Sequence, residues 1–309
     1  MRITIIGAGG VGGYFGARLA RGGCDVGFVA RGAHLAAMRE HGLRVESQLG
    51  EIHLPNVRVS DDPAALGPAD LLFLCVKLWD TESALHAASA ILSPETAVIS
   101  FQNGVQKDDL LQRLLGVKRV LGGVGYIGSK IERPGVIRHT GTMQRLVFGE
   151  YDGARSSRVV ALLEACVRGG IDAEISSDIR RSIWEKFVFL VGLSATTTTM
   201  RSTLGPIVHN PEARAFLLAV MREVVAVGRA HGVYLPEDFA EQRLAFCDGL
   251  PPGMDSSMHA DLDNGKRLEL EWLSGAVVEL ARAVNVPAPM NRAARDILAI
   301  HAHGKPSAT

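Results

Sequence analysis

The hydrophobic pattern changes character once along the chain. Up to Ile175, short apolar or β-branched runs alternate with helical stretches: Arg2–Ile6, Asp25–Ala30, Val57–Val59, Asp70–Val76, Ala97–Phe101, Val120–Ile127, Val136–His139, Leu146–Gly149 and Asp172–Ile175. Such runs read as strands, and their alternation with helices predicts a parallel sheet covered on both faces. After Ser177-Asp178 only helical periodicity remains, with Asp178 as the expected cap of the next helix. Helices are predicted over Pro211–His231, Pro236–Phe246, Ser256–Asn264 and Leu268–Val284, with a last one beyond Pro289. The expected division is residues 1–177 and 178–309, an α/β domain followed by an all-α one.

The first strand runs directly into Gly7-Ala8-Gly9-Gly10-Val11-Gly12, and a helical pattern follows. Strand, G-x-G-x-x-G, helix is the dinucleotide-binding arrangement of a Rossmann-like, doubly wound sheet. Gly7 makes the tight turn, Gly9 lets backbone approach a pyrophosphate, and Gly12 lets helix and strand pack closely. The second strand ends at Arg31, and no Asp or Glu lies between Val26 and Met38. An acid there selects NAD, whereas a guanidinium suits the 2′-phosphate of NADP, so NADP is the expected cofactor. Lys77 and Asn103 follow the strands at Asp70–Val76 and Ala97–Phe101, at the carboxyl ends where such sheets bind ligands. Gly128 is a further candidate for backbone passing close to the cofactor.

In the helical half, Ser182-Ile-Trp-Glu-Lys-Phe-Val-Phe-Leu-Val-Gly-Leu193 sets Lys186 at the head of an unbroken apolar run. Burying an ammonium without a partner is costly, so such a lysine either snorkels to water or is held for chemistry.

Bulk properties narrow the partners. The 309 residues carry 33 basic and 33 acidic side chains, which gives no support for nucleic acid or an anionic membrane as partner. No apolar run approaches the ~20 residues of a membrane span, and the start does not read as a signal peptide. The four cysteines are dispersed, favouring reduced thiols and a cytoplasmic protein. The ten histidines show no metal-ligand spacing, so no metal is expected. The general preference for two-fold symmetry makes a homodimer the default expectation.

Taken together, Gly7–Gly12, Arg31, Val76-Lys77, Gln102-Asn103-Gly104, Trp184-Glu-Lys186 and Ser256-Ser-Met-x-x-Asp261 with Gly265 and Glu269 resemble the ketopantoate reductases (2-dehydropantoate 2-reductases, the PanE/ApbA family). The resemblance implies NADPH-dependent reduction of ketopantoate to pantoate in pantothenate biosynthesis. It further implies that Lys186 is the proton donor, with Glu269 beside it touching the nicotinamide ribose and substrate. Ser257 would bind substrate, Arg31 and Lys77 the adenosine end of the cofactor, and Asn103 would lie between cofactor and substrate. A carboxylate at Glu269 would keep the amine charged until it is needed. Without the family, Glu269 reads as a first-turn acid of its helix and Ser257 as part of a cap.

The chain departs from the family at two positions. Members commonly hold substrate with asparagines four and eight residues beyond the lysine, where Leu190 and Ser194 stand here. A different 2-oxo acid on the same scaffold is therefore an alternative, with Arg201 as a candidate carboxylate clamp or a plain surface residue. Two further rivals are a β-hydroxyacid-type dehydrogenase, against which the Ser-Ser-Met block argues, and a non-catalytic NADPH-binding sensor, which would have no need of Lys186 and Glu269.

Overall fold

The computed structural model describes residues 1–305. Two compact units emerge: residues 1–102 with 107–182, and residues 103–106 with 183–309. The division falls at Ser182/Ile183, a little beyond the junction expected from the sequence, and the short segment Asn103–Gln106 groups with the second unit.

In the first unit the chain runs β1 (Arg2–Ile6), α1 (Gly10–Arg21), β2 (Asp25–Val29), α2 (Gly32–His41), β3 (Leu43–Glu46), β4 (Ile52–Leu54), β5 (Arg58–Ser60), β6 (Leu71–Leu74), α3 (Thr81–Ala87), β7 (Ala97–Ser100), α4 (Lys107–Leu115), β8 (Val120–Arg133), β9 (Val136–Gly149), α5 (Ser157–Arg168) and β10 (Asp172–Ile175). The sheet order is β4-β3-β9-β8-β7-β6-β1-β2-β5, with β10 on β9. Pairing is parallel throughout except β3 with β4 and β8 with β9. Central strands β6 and β7 are buried at every position, which is why Leu-Leu-Phe-Leu and Ala-Val-Ile-Ser read as unbroken apolar runs. Each buried leucine or phenylalanine there contributes about 1.5–3 kcal/mol.

The sheet is larger than the sequence suggests. Val136–His139 and Leu146–Gly149 are two ends of one strand, and Val120–Ile127 continues to Arg133. The outer half of this hairpin is largely exposed and carries register shifts at Ile127/Gly128 and Ile131/Arg133, so no clean alternation marks it. Strands β3 and β4 are likewise too short to leave a pattern.

The next helix, α6 (Ile179–Met200), begins at Asp178, whose carboxylate accepts the Arg181 N–H at 3.0 Å. Helices α7 (Leu204–His209), α8 (Pro211–Ala230), α9 (Phe239–Asp248), α10 (Ser257–Asp263), α11 (Ser274–Ala283) and α12 (Pro289–Leu298) complete the second unit. Trp184, Phe187, Val188 and Val191 of α6 are buried in one core with Val220, Val224 and Val227 of α8. Trp184 meets Phe187 edge-on at 5.7 Å and stacks on His231 at 6.2 Å, fixing the rotation of α6. Within the threonine run, Thr196, Thr197 and Thr199 satisfy their hydroxyls by donating to the carbonyls of Gly192, Leu193 and Ala195 one turn back.

One expected helix is divided. Leu268–Val284 contains a 3₁₀ turn at Leu270–Trp272, then a break at Leu273 (φ −109°, ψ −105°), and α11 starts only at Ser274. Glu269 is therefore not a first-turn acid of a long helix. Among the described residues no helix is long and apolar enough to cross a membrane.

Candidate active site

The first unit carries a cleft of about 290 Å³ at the carboxyl ends of β1, β2 and β6, lined by Gly7, Ala8, Gly9, Arg31, His34 and Lys77 among others. Gly7 adopts φ +99°, which only glycine tolerates readily, and turns the chain from β1 toward α1. A Cβ on Gly12 would stand 2.2 Å from the Gly7 carbonyl oxygen, so the turn and α1 can close only around glycine. Gly9 is the reverse case: a Cβ there would meet nothing within 4 Å. The backbone at Gly9 thus borders open space beside the start of α1, as a pyrophosphate cradle requires. Gly10 opens α1 and lies against the Ser129 backbone of β8. Gly12→Ala is expected to lower the melting temperature and to abolish any stabilisation by added nicotinamide dinucleotide, as checked by thermal unfolding with and without it.

Arg31 is exposed and stands at the N-terminal boundary of α2, at the rim of the cleft. Lys77 follows β6, half-buried, its ammonium 5.7 Å from the Trp79 ring centre. Cys75, partly buried, also lines the cleft, and burial pushes its thiol up to about 12. Gly128 is exposed and does not line the cleft; from that strand the contribution comes from Ile131.

A buried polar network fixes the ends of β6 and β7. Gln102 donates from Nε2 to the Val76 carbonyl and to Thr81 Oγ1, both at 2.9 Å, and accepts from Ser100 Oγ at 2.8 Å. Lys107, with its side chain 2% exposed, donates to the Ser100 carbonyl at 2.8 Å and to both oxygens of the equally buried Asp108. Tyr151 donates its hydroxyl to Asp108 Oδ2 at 2.7 Å. Burial pushes Asp108 above its ordinary value, opposed by Lys107 and Tyr151, and lifts the Tyr151 hydroxyl as well. Between Gln102 and Lys107 lies Asn103–Gln106, so its two flanking residues are both pinned.

In the second unit, Lys186 is half-buried and donates from Nζ to Asn103 Oδ1 at 3.1 Å. Two residues distant in sequence, each expected at a reaction site, are brought together here. Glu269 is 4% exposed and immediately precedes the 3₁₀ turn Leu270–Trp272, with no capping bond from its side chain. Leu190, one turn on from Lys186, is half-buried. Ser194, a further turn on, is 1% exposed, and its hydroxyl has no partner among the described residues. Arg201 is exposed with φ +48° at the end of α6. The two serines of the Ser-Ser-Met block separate in role. Ser256 caps α10 by accepting the His259 N–H at 3.1 Å and bonds Thr197 Oγ1 at 2.9 Å, while Ser257 stays exposed. Ser256 thereby ties the block to the helix carrying Lys186, a link that sequence spacing does not reveal.

Residues 3–153 match the family model described as ketopantoate reductase PanE/ApbA, and residues 178–301 match the model for its C terminal part. The 2-dehydropantoate 2-reductase of Mesorhizobium japonicum is 34% identical over 310 residues, covering 94% of each chain. That of Halobacterium salinarum is 33% identical over 299 residues, covering 96% of this chain and 98% of its own. The crystal structure of a PanE/ApbA family ketopantoate reductase from Ralstonia eutropha superposes with a TM-score of 0.89 at 34% identity over 98% of both chains. Matches over both halves of the chain lead to one assignment: this chain belongs to the ketopantoate reductase PanE/ApbA family of oxidoreductases.

Proposed function

We propose that the protein reduces a 2-oxo acid with NADPH, converting ketopantoate to pantoate for pantothenate synthesis in the cytoplasm. The observation that carries this reading is the Lys186–Asn103 hydrogen bond, which holds an amine in a defined direction on a helix otherwise committed to the core. When bound, reduced nicotinamide supplies the hydride that adds to the carbonyl carbon. The Gly7–Gly12 turn holds the pyrophosphate, and Arg31 and Lys77 hold the adenosine end. Lys186 gives its proton to the carbonyl oxygen as negative charge develops there. Asn103 orients the amine beforehand, and Glu269 offers a buried carboxylate to the same reaction site. Ser257, exposed at the start of α10, binds the acid. Related enzymes named 2-dehydropantoate 2-reductase support the substrate, and Arg31 in place of an acid supports NADP over NAD.

A second reading, reduction of a more apolar 2-oxo acid, is favoured by Leu190 and by the buried Ser194, which present a methyl-branched side chain and an inward hydroxyl where the family commonly has amides. Site groups that bond a substrate hydroxyl discriminate strongly, so their loss relaxes choice. Initial rates with ketopantoate and a series of bulkier 2-oxo acids, each with NADPH and NADH, test both points. Efficient turnover of ketopantoate alone refutes the second reading; faster turnover of bulky acids refutes ketopantoate as the substrate. For the cofactor, Arg31→Ala is expected to weaken NADPH binding by about 10–100-fold, the worth of a charge-assisted bond, while changing NADH little. Equal weakening of both would remove Arg31 as the basis of preference.

A further inference from the structure

His34, in the first turn of α2, lines the cleft. The N–H of Gly135, at the turn between β8 and β9, donates to its Nδ1 at 3.0 Å. A ring nitrogen that accepts carries no proton, so in the neutral ring the hydrogen sits on Nε2. Nε2 lies 2.9 Å from the Ala8 carbonyl, which can only accept. Both partners are main-chain groups, so no choice of amide flip or hydroxyl rotor enters this assignment. Gly135 is held from its other side too, since its carbonyl accepts from Arg44 N–H at 2.9 Å. Ala8 and Gly9 are joined by a trans peptide, in which N–H points opposite to C=O. Fixing the Ala8 oxygen against α2 therefore fixes the direction of the Gly9 N–H, at a turn glycine that borders open space.

We propose that His34 is a positioning residue for the cofactor pyrophosphate, acting as a neutral clamp between the glycine turn and the β8–β9 hairpin. This rests on reading the cleft as a nicotinamide dinucleotide site. An imidazolium would set Nδ1–H against the Gly135 N–H, two donors facing each other, and would open the clamp. Burial lowers the His34 pKa from 6.5, with the Ala8 bond partly opposing it. The charged groups lining the cleft with it are Arg31, Asp61, Lys77 and Asp80, of which Asp61 pairs with Arg39. On the hairpin, Lys130 pairs with Glu132 and Arg133 with Glu46, and Arg44 lies on β3. The shift comes from burial and not from any of these charges.

The test is fluorescence titration of NADPH into wild type, His34→Ala and His34→Gln between about pH 5 and pH 8, the range in which an imidazole changes charge. Near neutrality His34→Ala is expected to bind about tenfold more weakly, the equivalent of its two lost hydrogen bonds. His34→Gln can still donate to Ala8 and accept from Gly135, so it should bind close to wild type. Wild-type affinity should fall further in acid than that of His34→Gln. The 2′-phosphate of NADPH titrates in the same range and contributes equally to both proteins, so the difference between the two profiles is the readout. Superimposable profiles for wild type and His34→Gln overturn the clamp, as does unchanged binding by His34→Ala. Wild type that binds neither NADPH nor NADH overturns the reading of the cleft itself.

Discussion

Replacing Lys186 by alanine is expected to lower kcat by about 10²–10⁴-fold, the usual worth of a positioned general acid, while NADPH still binds. The two effects separate because the amine belongs to the helical unit and the glycine turn to the other. Lys186→Arg should not restore the rate, since a guanidinium remains protonated at any working pH and gives up its proton poorly. Asn103→Ala should show a smaller loss, because it removes the group that orients the amine and not the amine itself. Steady-state rates with saturating NADPH, set beside fluorescence titration of the cofactor, measure both halves of this expectation. A catalytically silent NADPH sensor would lose nothing measurable in any of these variants.

Lys107→Met is expected to produce the largest loss of stability. Lys107 and Asp108 are each buried, and the ammonium donates to both carboxylate oxygens and to the Ser100 carbonyl. Methionine fills similar volume but leaves Asp108 as a buried carboxylate without its cation, with the Tyr151 hydroxyl still donating to it. Breaking a buried pair from one side costs about 3–5 kcal/mol. The sign of the pH dependence follows from Asp108. Burial raises it above 3.8 in the folded chain, and removing the lysine takes away the charge that opposes this. The folded variant then holds a proton where the unfolded chain has released it, so its stability is greatest in acid and falls as pH rises from 3.8 through the raised value. Urea unfolding of variant and wild type across this range should show the deficit growing with pH. A constant deficit would mean that packing, and not charge, sets the cost.

Much of the first unit is legible because its chemistry is local. The glycine turn, Arg31 and Lys77 each follow a strand whose apolar run is plain, and burial on both faces is what makes those runs plain. The inner ends of β8 and β9 are read as separate strands, but the exposed outer half of their hairpin is not legible, nor are β3 and β4, which are too short to leave a pattern. In the helical unit the Asp178 cap can be read directly, whereas the break at Leu273 cannot be read from the apolar pattern. Ser274-Gly275 is the available cue there. Lys107-Asp108 looks like a pair of solvated charges at the head of a helix. Only the fold brings Ser100 and Tyr151 around them. The clamp at His34 has no sequence mark at all, since both of its partners are backbone atoms far away in the chain. Lys186 was recognisable as a lysine needing an explanation, but its acceptor lies on a segment whose grouping with the helical unit is a property of the fold.

The decisive experiment is a crystal structure of the complex with NADPH and an unreactive 2-oxo acid analogue. Lys186 Nζ is expected within about 3.2 Å of the oxygen that stands for the ketone, the reach required of a general acid. A complex in which that amine points to solvent while another donor faces the oxygen would contradict it.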